Sequence, residues 1–122
     1  ELSERAGVFI ANAFLRFAEK RAAKGDTEMA LEIYRGVLRS TEQEHFRCAG
    51  LIGLGKLGSA SDVGDMIPAL SGESAVVRSV ASQALTSLKG PDVNAALEEA
   101  METASPDVKD RISKILSARK SR

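Results

Sequence analysis

The sequence predicts an all-α protein, an α-solenoid (α-α superhelix) of about seven antiparallel helices wound right-handedly. Three observations predict it. Apolar residues recur at three- and four-residue spacing, and no segment alternates with period two and β-branched enrichment. A short template returns at a fixed offset of 31 residues, as Arg47, Arg78 and Lys109 show. Helix-start and helix-stop residues bracket each apolar stretch.

Residues 1–40 read as a helical hairpin. Val8, Phe9, Ala13, Phe14, Phe17, Ala18 and Ala22 recur at helical spacing and form the expected buried stripe. Lys24-Gly25-Asp26 ends that helix, and Asp26-Thr27 opens the next. The second helix carries Ala30, Leu31, Tyr34 and Leu38 and is expected to end near Ser40-Thr41. Three of the four Phe residues and the only Tyr lie in this hairpin. At helical spacing they are expected in the core rather than in a ligand box.

The repeat begins at Phe46-Arg47 and continues through Gly50, Gly53-Leu54 and Leu57. Its second copy is Val77-Arg78, Ala81, Ala84-Leu85 and Leu88. Its third is Val108-Lys109, Ile112, Ile115-Leu116 and Arg119. Between copies, Ser61-Asp62-Val63 precedes Ile67 and Leu70, while Pro91-Asp92-Val93 precedes Leu97 and Ala100. Ser, Asp and an early Pro satisfy or avoid the orphan amides of a first turn, so each stretch is expected to be a second helix. Gly58 and Gly90 stand at the preceding helix ends, where a left-handed residue is cheapest.

In the first helix of the second copy, Val77, Ala81, Ala84, Leu85 and Leu88 share a face, with Ser79, Ser82 and Gln83 outside it. In the preceding copy those three positions become Cys48, Leu51 and Ile52. That helix is apolar on an additional face, which the N-terminal hairpin is expected to cover. Gly50 and Gly53 would let the covering helix approach closely, against a helix-propensity cost of about 1 kcal/mol each. In the last helix Ile112, Ile115 and Leu116 give a buried stripe. Lys109, Arg111, Lys114, Arg119, Lys120 and Arg122 then read as the polar side of a capping helix rather than a lipid or nucleic-acid site.

Composition narrows the function. The chain of 122 residues is 43% hydrophobic and 28% charged, the balance of a folded globular domain. Seventeen basic residues offset seventeen acidic ones, so no global attraction to nucleic acid or membrane is expected, and no apolar run is long enough to span a bilayer. Locally the charge is uneven: +1 over residues 1–40, −6 over 41–108 and +5 over 109–122. One Cys makes no internal disulfide, which fits a reducing compartment and favours the cytoplasm. His45 and Cys48 are one turn apart, but a zinc site needs further ligands, and no other His or Cys exists. Gly53, Gly55 and Gly58 fall inside a helical pattern and do not form a dinucleotide-binding loop. No cofactor is expected.

The Arg47 and Arg78 units resemble HEAT repeats, more closely the short type named after phycobilisome lyases. The matching residues run from Val77 to Leu85 and from Phe46 to Leu54. The hairpin is similar to a tetratricopeptide unit at Phe14, Phe17, Ala18, Gly25-Asp26, Ala30 and Tyr34, and departs from it at Arg21 and Glu42. These resemblances imply residues 1–40 as a tetratricopeptide-like hairpin and 41–122 as HEAT-like repeats with a C-terminal capping helix, packed as one structural unit. They imply a protein-binding adaptor whose second helices line a concave face. Asp62, Asp65, Asn94, Glu98, Glu99 and Glu102 are the expected exposed positions there, with Met66 and Met101 nearby.

That face reads either as a shallow acidic groove for a basic peptide or as a solvated surface whose first-turn carboxylates serve the helix dipole. Arg47 and Arg78 are expected to tie neighbouring units together through an Asp or turn carbonyls. The expected function is therefore a non-catalytic protein-interaction or scaffold module, a fragment of a larger protein, since the chain starts at Glu1. The alternative is an intramolecular regulatory or self-assembly domain, its face around Leu51 and Ile52 covered by the parent chain or by another copy. A chromophore-lyase-like enzyme is a weaker reading, because no constellation of convergent polar groups is present.

Overall fold

A computed structural model describes residues 2–40 and 43–121, with side chains from Asn12 onward. The expectations placed on Val8, Phe9, Thr41, Glu42 and Arg122 lie outside the residues so described. Seven α-helices follow in order: α1 Leu2–Ala23, α2 Thr27–Ser40, α3 Glu44–Leu57, α4 Val63–Met66, α5 Ala75–Ser87, α6 Val93–Met101 and α7 Pro106–Lys120. The described residues contain no strand, and no described helix is long and apolar enough to cross a membrane. Packing runs α1 on α2, α2 on α3, α3 on α5 and α5 on α7. Along the side, α4 meets α6 and α6 meets α7. This is an antiparallel α-solenoid.

Local chemistry sets most boundaries. Ser74 and Ser105 cap α5 and α7, their hydroxyls accepting the Val77 and Val108 amides at 3.1 and 3.4 Å. The Ser74 hydroxyl also donates to the Glu44 carboxylate, which links the starts of α3 and α5. Gly25 and Gly90 adopt φ of 86° and 124°, which reverses the chain where a side chain would be strained. Gly58 differs from the expectation. Its φ is −81°, and the reason for glycine there is space: a Cβ would lie 2.6 Å from the Leu54 carbonyl oxygen and 2.7 Å from the Asp62 carboxylate.

The expected second helix after Asp62 is broken. A 3-10 turn at Ala60–Asp62 leads into the four-residue α4, and another 3-10 turn follows at Ile67–Leu70. Pro68 cannot donate the amide that a continued α-helix needs, so the tighter turn takes over.

The repeated stripes are the core. Val77, Ala81, Ala84, Leu85 and Leu88 are buried, as are Val108, Ile112, Ile115 and Leu116, and Ala30, Leu31, Tyr34 and Leu38 on α2. The first helix departs from its expected face. Phe14 and Phe17 are 52% and 42% exposed, while Leu15 and Ala18 are buried and Ala22 is half-buried. Small and aliphatic residues permit the close α1–α2 seam, and the two Phe rings sit on the flank beside it. Arg21 stacks over the Phe17 ring at 5.2 Å.

Arg119 joins the end of the stack to its middle. Its Nε donates to Asn94 Oδ1 at 2.6 Å, and one terminal nitrogen donates to the carbonyls of Leu85, Thr86 and Leu88. A guanidinium thereby satisfies the orphan carbonyls at the end of α5. Arg119→Ala is expected to cost about 1.5–3 kcal/mol, the range for hydrogen bonds to a charged group. Urea denaturation measures the loss, and amide exchange should accelerate first at the α5 C-terminus.

Candidate functional site

The residues expected on an acidic concave face divide sharply in the structure. Asp62 is buried, 1% exposed, and takes the Arg35 guanidinium in two hydrogen bonds of 2.6 and 3.2 Å. Its Oδ2 also accepts the Ser59 amide at 3.1 Å. Asp65 pairs with Arg39 at 2.6 Å, and Asn94 is engaged by Arg119. Met66 is wholly buried and Met101 half-buried. Glu98, Glu99 and Glu102 are exposed on α6 and its end. Exposed carboxylates therefore remain at three of the eight positions, and the others brace the stack.

A ladder between units exists, built mostly from different arginines than expected. Arg78 donates to the Gly72 carbonyl at 2.6 Å, within the turn that precedes its own helix. The Arg47 side chain makes no hydrogen bond or ion pair among the described residues; its backbone amide donates to the Gln43 carbonyl at 3.0 Å. Besides the Arg119 and Ser74 bonds described above, the inter-unit ties include Arg35–Asp62, Arg39–Asp65, and Arg111 to the Leu70 carbonyl at 2.8 Å. These arginines sit on the helices that flank each turn, within reach of its groups.

The seam between α2 and α3 has the close approach that Gly50 and Gly53 foreshadow. A Cβ on Gly53 would fall 2.5 Å from three atoms of the Tyr34 ring, and one on Gly50 would fall 3.1 Å from the Tyr34 carbonyl oxygen. Tyr34 thus lies flat against glycine backbone. Coverage of the extra apolar face then stops short: Leu51 is buried and Cys48 half-buried, but Ile52 is 47% exposed. The reason is geometric. The hairpin packs on α3 through α2, while α1 stands off and leaves a trough of about 790 Å³.

The trough has two walls and a floor. Leu15, Arg16 and Glu19 line it from α1; His45, Ala49, Ile52 and Lys56 line it from α3; Tyr34 and Gly53 form the bottom. Burial pushes the Tyr34 phenol pKa up, and the Glu19 charge adds to the shift, so the hydroxyl keeps its proton and can donate at neutral pH. Sequence reasoning named the apolar face around Leu51 and Ile52 but expected it covered, and did not place the α1 wall opposite. The trough's one signal was Ile52, apolar at a position that is polar in the next repeat.

Among the described residues, no group of three or more His, Cys, Asp or Glu side chains is placed to hold a metal ion. His45 sits edge-on to Phe46, with ring centroids 5.2 Å apart. Burial raises the Cys48 thiol pKa, the Glu44 charge adds to it, and Arg47 opposes it weakly. A protonated thiol is a poor nucleophile. Iodoacetamide is therefore expected to alkylate Cys48 more slowly in the folded chain than in denaturant at neutral pH, the gap narrowing as pH rises.

No protein-family model and no curated protein matches this chain.

Proposed function

We propose that this chain is a non-catalytic helical scaffold that binds another protein through the trough between α1 and α3. The carrying observation is the trough itself: Ile52 lies exposed between charged rims, above a floor and wall formed by the buried Tyr34 and Leu15, while Asp62, Arg35 and Arg119 are consumed in holding the stack. An open apolar cleft with a polar rim is what a docking surface needs. The 31-residue recurrence, with Ser74 and Ser105 capping equivalent helices, supports kinship of residues 41–122 with HEAT-like repeats. A free half-buried thiol supports the cytoplasm as the compartment.

A photo-crosslinking amino acid at position 52 tests the reading in cells, with the same group at exposed Ser113 as control. A discrete adduct to another protein at position 52 alone is the expected result. No adduct at position 52 refutes docking there.

Self-assembly is the second reading, favoured by the exposed Phe14 and Phe17 rings on the other flank of α1. It predicts concentration-dependent sedimentation that Phe14→Ser and Phe17→Ser abolish. The acidic reading of α6 rests on Glu98, Glu99 and Glu102 alone; charge reversal at Glu98 and Glu102 without loss of partner binding would discard it.

A further inference from the structure

We infer that the occupant of the α1–α3 trough is an amphipathic helix whose apolar stripe is flanked by carboxylates, an inference that rests on reading the trough as a docking surface. Shape argues for the helix. His45, Ala49, Ile52 and Lys56 follow one another up a single face of α3, a wall of about 16 Å at 1.5 Å per residue. Opposite stand Leu15, Arg16 and Glu19, and the Tyr34 ring closes the bottom. A channel three turns long on its α3 side, apolar at Leu15, Tyr34, Ala49 and Ile52 between polar rims, matches a helix that presents anchors at i, i+3, i+4 and i+7.

Chemistry argues for the carboxylates. The trough offers two cations, Arg16 and Lys56, and a Tyr34 hydroxyl that keeps its proton. Among the described residues, Glu19 is the one carboxylate in its lining. The nearest acid at the start of α3, Glu44, already accepts the Ser74 hydroxyl. An occupant that covers these donors must return acceptors to them, because a desolvated cation without a partner is costly. Aspartate and glutamate beside the apolar stripe do so, directed at Arg16 and Lys56 and away from Glu19.

A second copy that offers its α1 flank or its α6 does not fit that chemistry. Its exposed apolar ridge, Phe14 and Phe17, is accompanied on α1 by Lys20, Arg21 and Lys24, which would set cations against cations. Its acidic helix, α6, buries the apolar Val93 and Leu97 and exposes glutamates without a large apolar companion. Neither of those two faces supplies the occupant.

A phage-displayed library of helical peptides tests this on the full chain. The apolar stripe is fixed as Leu and Ile, and each flanking position is open to Glu, Gln or Lys. The expected result is enrichment of Glu at the flanks. A selected peptide, synthesised and titrated, should lose roughly tenfold or more in affinity against Ile52→Glu and against Arg16→Glu with Lys56→Glu. It should also weaken as salt rises. Selection repeated on the doubly charge-reversed chain should shift toward Lys. Circular dichroism confirms that the variants, all at surface positions, remain folded. Enrichment of Lys or Gln on the unaltered chain, with binding still lost in Ile52→Glu, overturns the carboxylate chemistry and leaves the docking surface standing. Failure to enrich any peptide whose binding depends on Ile52 overturns both.

Discussion

Gly53→Ala is expected to destabilise the fold by about 2 kcal/mol in urea denaturation, although alanine is the better helix former. The new methyl would meet the Tyr34 ring at 2.5 Å, and that ring is 8% exposed between α2 and α3. Tyr34 cannot swing aside as the end of a long flexible chain would, so α2 must shift. Overpacking a core in this way costs about 1–3 kcal/mol, with the tighter contacts at the upper end. Against it stands a helix-propensity gain of about 1 kcal/mol. The steric cost wins because ring and backbone are already in contact.

The double variant makes the cause visible. With Tyr34→Ala in place, Gly53→Ala is expected to reverse sign and stabilise by up to about 1 kcal/mol, since only propensity remains. A stabilising effect in the presence of Tyr34 would show that the seam is wider than the structure has it.

Arg35→Ala is the second large effect, expected at about 3 kcal/mol. It leaves the Asp62 carboxylate 1% exposed, with the Ser59 amide as its remaining hydrogen bond. Removing one partner of a buried pair strands a charge, which costs about 3–5 kcal/mol. The lower end applies because the Arg35 side chain is 26% exposed and water can enter where it stood. Asp62→Ala should cost less, because Arg35 can turn its guanidinium to solvent. The double variant should be more stable than Arg35→Ala alone.

No pH window opens on the arginine side. The Asp62 hydrogen bond raises the guanidinium pKa against the opposing effect of burial. Stability from a raised basic pKa is present below the unfolded value and lost only as pH passes the folded one, beyond the range of stable protein. The Arg35→Ala deficit should therefore hold steady from neutral into alkaline pH.

The repeat was legible because each copy carries its own stripe. Val77, Ala81 and Leu85, or Val108, Ile112 and Leu116, need only helical spacing to share a face, and burial follows. Gly50 and Gly53 were legible as a close seam because nothing but proximity offsets two glycines within a helix. On α1 the pattern was ambiguous. Apolar residues occur around much of its circumference, so periodicity alone could not choose between the Phe14–Phe17 flank and the Leu15–Ala18 flank. Asp62 looked like any first-turn carboxylate. Its burial depends on Arg35, 27 residues earlier, and no local signal links the two.

What the sequence determined by itself was the set of helices, most of their ends and, beyond α1, the faces that stack, since these follow from short-range spacing and capping chemistry. Tertiary structure alone decided where coverage ends. Ile52 lies beside a trough because α1 packs on α2 and not on α3, while α2 meets α3 through Tyr34 on Gly53. Charge followed the same division. The acidic balance of residues 41–108 is written in their composition, but only the fold shows that Asp62 and Asp65 are neutralised by arginines of the preceding hairpin. Pairing is a matter of distance in space, and sequence order does not carry it.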